Sequence, residues 1–159
     1  MGSGLNTDYT GRSVDLSVVQ MLIPDASQAE ILDFSNPVCV VAGPQKAAQN
    51  WAIHFLTRRG TVIGDDQYGT LFLTQLLENQ ITDTVGVQQQ FNVAAQDILN
   101  YTQNRLTGTE KDDEVVINAV LLPGWDFDRP NGRLTLIVGL TLRSGALTQV
   151  LLPVPVFIV

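Results

Sequence analysis

Histidine and cysteine carry much of the nucleophilic and metal chemistry of proteins, and this chain has one of each, His54 and Cys39. Any nucleophile–histidine–acid relay must therefore run through His54. That residue stands in Trp51-Ala52-Ile53-His54-Phe55-Leu56, flanked by apolar residues, with no motif-bearing serine or cysteine beside it. The expected role is a structural histidine. Cys39 lies in the run Val38-Cys39-Val40-Val41 and reads as a small buried hydrophobe. A single cysteine forms no internal disulfide, and one His with one Cys cannot build a structural zinc site. The acidic clusters are Asp65-Asp66, Asp112-Asp113-Glu114 and Asp126 with Asp128. None follows the spaced ligand loop of a calcium site, so solvated loop carboxylates are expected. Gly43-Pro44-Gln45-Lys46 lacks the outer glycine and the Lys-Ser/Thr ending of a phosphate loop. Carboxylate pairs of the glycosidase kind arise by chance in any chain with 16 acids. The expectation is a protein with no catalytic, cofactor or metal site.

Composition narrows the partners. The 159 residues carry a net charge of -7, and only nine are Lys or Arg, with one adjacent pair, Arg58-Arg59. Nucleic-acid binding needs clustered cations, so no nucleic-acid partner is expected. No apolar run reaches the 18 or so residues of a membrane helix, and Met1-Gly2-Ser3-Gly4 does not open a signal peptide. Charged residues make up 16% of the chain against 45% hydrophobic. Soluble domains average about a quarter charged residues, so surface hidden against other proteins is expected. The single cysteine suits a reducing compartment.

The elements that must position these residues can be read from periodicity. Residues 1–13 are rich in Gly, Ser, Thr and Asn and predict a flexible tail; 14–146 form one domain; 147–159 form a C-terminal strand or arm. A strand is predicted over 14–23, stopped by Pro24, and a short one over 38–41. Ala48, Trp51, Ala52, Phe55 and Leu56 form an apolar stripe, predicting a helix from Gln45 to Arg59 that Gly60 stops. A glycine-bounded loop leads to a second helix over 70–79, apolar on much of its circumference. A third starts at an Asp83 or Thr84 cap and carries Val87, Phe91, Ala94, Ile98, Tyr101 and Arg105. The last third switches to period two. A strand is predicted over 114–122, and Leu134, Leu136, Val138, Leu140 and Leu142 alternate strictly in another. Residues 123–132 read as a long hairpin connection and Ser144-Gly145 as a turn. Pro153 and Pro155 confine the final strand to an edge or an arm. The fold class is α+β: about three helices on a small mixed or antiparallel sheet, with extended N- and C-terminal arms. The two apolar ends suggest strand addition to a neighbour's sheet, through Leu16 and Val18 at one end and Leu151, Val154, Val156 and Ile158 at the other.

The middle of the chain resembles a family. Trp51-Ala52-Ile53-His54-Phe55-Leu56-Thr57-Arg58-Arg59-Gly60 is an apolar helix ending in Thr-x-x-Gly. Asp66-Gln67-Tyr68-Gly69, followed by Leu71-Phe72-Leu73, supplies an acidic-aromatic-glycine element and a Leu-rich helix. Tyr101-Thr102-Gln103-Asn104-Arg105-Leu106 ends a longer helix, before paired strands. In order and spacing over about residues 38–143, this is similar to the phage baseplate wedge family of sheath initiators. The family is described as lysozyme-like, and a type VI secretion baseplate component is among its members. In the family pattern the last motif reads Tyr-Glu-Pro-Arg-Leu; here Gln103-Asn104 replace Glu-Pro, and Arg105 keeps the charge.

The resemblance implies a structural, non-enzymatic protein of a contractile tail. It would link the baseplate wedge or hub to the tail sheath and initiate sheath assembly by strand exchange. Its partners would be the sheath protein, baseplate wedge proteins and possibly tail tube or hub proteins. Several copies would stand around a ring in the virion, assembled in the host cytoplasm. Tyr101, Arg105 and Leu106 would dock on the wedge. Thr57, Gly60, Asp66, Tyr68 and Gly69 form the loop motif, and the strands at the two chain ends would face the sheath. Two other readings stand beside this one. The first is a tail-completion or connector protein at the head-proximal end. The second is a small peptidoglycan hydrolase using Glu78, Glu110 or Glu114.

Overall fold

The computed structural model describes residues 15–16 and 40–156. It has the expected α+β class, with three α-helices and an antiparallel sheet of four strands among the described residues. A short antiparallel ladder pairs β1 (Asp15–Leu16) with β2 (Val40–Val41). The chain then enters α1 (Gly43–Leu56), α2 (Phe72–Leu77) and α3 (Thr84–Gln103). A single 3-10 turn, Asp112–Glu114, leads into β3 (Val116–Leu121), β4 (Asp126–Asp128), β5 (Arg133–Leu142) and β6 (Leu147–Pro155).

The start of α1 departs from the expected Gln45. Pro44 sits in the first turn, where its missing N–H costs nothing, so the helix begins at Gly43. Ala42 offers no side-chain cap. Glu114 takes that role from across the fold: its carboxylate accepts from the Gly43 N–H at 3.4 Å and lies 4.0 Å from the Lys46 ammonium. A carboxylate at this end also suits the helix dipole. The helix ends at Leu56, three residues before the expected Arg59. Thr57 is extended, and its hydroxyl donates to the Ile53 carbonyl at 2.6 Å. The stop is therefore Thr57, while Gly60 serves the following turn at φ +80°.

Helix α2 buries Phe72 and Leu76, spaced i, i+4, and leaves Leu71 and Leu77 exposed. It is thus buried along one side, unlike the reading from its leucine content. Asp83 caps α3 by accepting from the Gly86 N–H at 2.6 Å. Val87, Phe91, Ala94 and Ile98 form its buried stripe. The helix closes at Gln103, so Arg105 lies just past it, with its N–H donating to the Thr102 carbonyl at 3.0 Å.

Strand β5 organises the sheet. Its even-numbered residues Leu134 to Leu142 are buried, and the intervening side chains face the other way. β6 pairs with β5 over nine residue pairs, from Arg133↔Pro155 to Thr141↔Leu147. One edge of β5 is filled in this way, so β3 and β4 must share the other. β3 lies against 138–142 and β4 against 133–135. The Leu122 N–H, donating to the Ile137 carbonyl at 2.8 Å, bridges the gap between them. β4 is the strand that the proline and glycine punctuation of 123–132 concealed.

The helices cover one face of this sheet, α1 over β6 and α3 over β3. Between them sits an aromatic core, with Phe55 4.8 Å from Phe72 and 5.6 Å from Phe91 between ring centroids, and Trp51 stacked on Phe55 at 5.2 Å.

The C-terminal segment takes one of the two fates left open in the sequence, strand or arm. Residues 147–155 are a strand of the protein's own sheet. Val154 and Val156 point into the core, 2% and 7% exposed, and Leu151 pairs with Ile137 on the opposite face. The strict alternation of β5 needs such a partner to complete its buried face. Pro153 and Pro155 are accommodated because, among the described residues, β6 pairs on one side only. Leu16 pairs with Val40 in the small ladder. Val18 and Ile158 lie outside the described residues.

Candidate functional site

Two features stand out once the fold is in place: a clasp that gathers the loop motif and the end of α3, and a groove along β3.

The clasp begins with Thr57. Leaving the helix, it exposes a carbonyl that accepts from the Thr70 N–H at 2.8 Å, and the Thr70 carbonyl accepts from the Arg59 N–H at 3.0 Å. The Thr70 hydroxyl donates to the Phe55 carbonyl at 2.8 Å. The loop between is thereby closed at its base. Gly69 sits in that closure with φ +98°, and a Cβ there would lie 2.6 Å from the Thr57 carbonyl oxygen. Only glycine fits both the conformation and the space.

Above the closure, Tyr68 stacks on His54 at 4.2 Å between ring centroids, and Tyr101 of α3 meets the His54 ring edge-on at 4.7 Å. The Tyr101 hydroxyl donates to Asp65. The Arg105 guanidinium lies 3.8 Å from the centre of the Tyr101 ring and donates from Nη2 to Asp65 at 3.3 Å. On the neighbouring turn of α3, Asp97 pairs with Arg59 at 2.9 Å.

The structure thus brings together Thr57, Tyr68, Gly69, Tyr101 and Arg105. Leu106 follows in sequence, half-buried, and Gly60 holds an open turn with nothing near its missing Cβ. The carboxylate that binds Tyr101 and Arg105 is Asp65; Asp66, the residue singled out by the motif, is exposed. Adjacent acids are indistinguishable by pattern, and only the turn geometry selects between them. His54, expected as a structural histidine, is buried at the centre of the cluster and packed against both phenol rings.

The electrostatics follow from this packing. Burial, aided by the nearby Arg59, lowers the His54 pKa from 6.5 to about 4, so the ring is neutral at pH 7. The hydrogen bond from Tyr101 holds the Asp65 carboxyl below its ordinary range. Burial pushes the Tyr68 and Tyr101 phenols upward, and Asp65 adds to both. At neutral pH this arrangement is a neutral imidazole between two protonated phenols, closed by one carboxylate and one guanidinium. Its chemistry is that of a polar lock. Among the described residues no group of three or more His, Cys, Asp or Glu side chains is placed to hold a metal ion, and no helix is long and apolar enough to cross a membrane.

The three glutamates considered for hydrolysis are engaged separately. Glu114 caps α1. Glu110 accepts from the Thr107 and Gly108 N–H groups at 2.7 and 2.9 Å, which lowers its pKa to about 2. Glu78 accepts from the Gln80 amide.

The groove, about 250 Å³, runs between α3 and β3. Trp51 and Leu99 line it, with Asn92 and Gln96 on the helix side and Asn118 and Val120 on the strand side; no lining residue is charged. Among the described residues β3 pairs only with β5, and its other edge lies beside the groove.

Comparison of the chain with protein-family models, with curated proteins and with solved structures returned no match.

Proposed function

We propose that this chain is a structural, non-enzymatic baseplate protein of a contractile phage tail, which joins the wedge or hub to the sheath and initiates sheath assembly by strand exchange. The observation that carries the reading is the β3 edge that no described residue pairs with, beside an uncharged groove. An extended arm of a sheath subunit would add to that edge through main-chain hydrogen bonds and lay alternate side chains over Leu99 and Trp51. The amides of Asn92, Gln96 and Asn118 would meet its remaining polar groups. This moves the sheath contact from the C-terminal strand to β3, because Val154 and Val156 are committed to the core. The convergence of Tyr68, Gly69, Tyr101 and Arg105 supports the resemblance, since motifs scattered in sequence meet at one place. Several copies around a ring would make weak strand contacts cooperative. The protein would be a virion component assembled in the host cytoplasm.

The test is Asn118→Lys. A charge at an exposed edge strand blocks strand addition without entering the core. The variant should fold and join the baseplate, yet tails should lack sheath. Normal sheath on such tails would overturn the proposal.

A further inference from the structure

One asparagine in the chain precedes a glycine, Asn131 before Gly132. That pairing has a chemistry of its own. Glycine has no side chain to shield its nitrogen, and an unshielded nitrogen can attack the amide of the asparagine before it.

The fold requires this glycine. Asp128 and Arg133 face each other where β4 passes into β5. Residues 129–132 turn the chain between them, closed by the Gly132 N–H donating to the Arg129 carbonyl at 3.0 Å, with Pro130 in the second position. Gly132 has φ +64°, and a Cβ there would lie 2.5 Å from the Val156 carbonyl oxygen. Its own carbonyl accepts from the Val156 N–H at 2.9 Å, which ties down the end of β6. No other residue fits, so Asn131 must stand beside a bare nitrogen.

Asn131 is exposed to water, yet both reacting groups are engaged. One Asp128 oxygen accepts from the Asn131 Nδ2 at 2.7 Å, and the other accepts from its backbone N–H at 3.3 Å. The first bond holds the Asp128 carboxyl below its ordinary range, so at neutral pH the acceptor is charged. The Gly132 nitrogen spends its hydrogen on Arg129. For the two to react, the amide must swing away from Asp128, and the nitrogen must lose the proton that Arg129 binds.

We propose that Asn131 is a site of spontaneous covalent modification, which the fold keeps shut with Asp128 as the positioning residue. When the site opens, hydroxide takes the Gly132 amide proton and the nitrogen attacks Asn131 Cγ. The bond from Cγ to Nδ2 breaks, and ammonia leaves with a proton from water. Water then opens the five-membered imide to aspartate or isoaspartate. Either product sets a carboxylate against Asp128. The isoaspartate also adds a carbon to the main chain of the turn that holds Val156. The inference is independent of the assembly reading.

The experiment incubates the purified chain at mildly alkaline pH and follows the mass gain of the peptide holding Asn131. The folded wild type should react at least about tenfold more slowly than the same chain in concentrated urea. Asp128→Ala should speed the folded reaction about threefold or more. Asp128→Asn loses the charge but keeps an acceptor, and should stay within about twofold of wild type. Circular dichroism checks each fold. Equal wild-type rates with and without urea overturn the inference, as does a folded Asp128→Ala that reacts no faster than wild type. If Asp128→Ala loses its fold, Asp128→Asn decides: a rate near wild type upholds the inference, and a rate near that in urea overturns it.

Discussion

Replacing Gly69 by alanine probes the loop closure most sharply. The residue has φ +98°, and an added Cβ would stand 2.6 Å from the Thr57 carbonyl oxygen and 2.9 Å from the Arg59 nitrogen. Two costs add. An alanine in left-handed backbone is strained by about 1–2 kcal/mol. Overlap with main chain, which cannot swing aside as a side chain would, adds about 1–3 kcal/mol. The sum is about 2–5 kcal/mol, or a drop in melting temperature of about 4–20 °C for a domain of this size. Gly60→Ala is the control: its φ is +80°, but nothing lies within 4 Å of the new Cβ. Only the strain remains, so its loss should stay at about 1–2 kcal/mol. Thermal unfolding followed by circular dichroism measures both. Equal destabilisation by the two variants would refute the idea that Gly69 is required by contact with Thr57.

Tyr101→Phe should raise the Asp65 carboxyl pKa toward 3.8, because the Tyr101 hydrogen bond is the largest cause of its depression; carboxyl NMR titration reads this, and an unmoved Asp65 would deny the bond. His54 stays neutral in the folded chain down to about pH 4 but takes a proton near 6.5 when unfolded. The unfolded state therefore binds more protons between those values, and stability should fall by about 2–3 kcal/mol as pH drops from 6.5 to 4. Denaturant midpoints across this window test it, and His54→Phe should flatten the slope. Glu114→Ala should destabilise the start of α1 by about 1 kcal/mol, as loss of a cap does, seen as faster amide exchange at Gly43 and Lys46.

Much of the fold was legible because periodicity survives without context. The alternation from Leu134 to Leu142 gave β5 directly, and Asp83 marked the start of α3. Other boundaries depended on distant residues. Thr57 ends α1 because Thr70 takes its carbonyl, a partner 13 positions away that no local pattern announces. The apolar C-terminal segment reads as a strand or as an arm, because its prolines and hydrophobicity fit either fate; the full pairing with β5 decides between them. At the clasp, aromatic and glycine positions were readable, but the choice of Asp65 over Asp66 and the central place of His54 came only from geometry. The groove beside β3 was invisible in sequence because its lining comes from α1, α3 and β3 together.

The central claim is tested most directly by a density map of an assembled tail that contains this chain. The account places the protein between the baseplate wedge and the first sheath ring, with an extended sheath segment hydrogen-bonded to Val116–Leu121. A bare β3 edge in a fully sheathed tail, or a position at the head-proximal end, would contradict it.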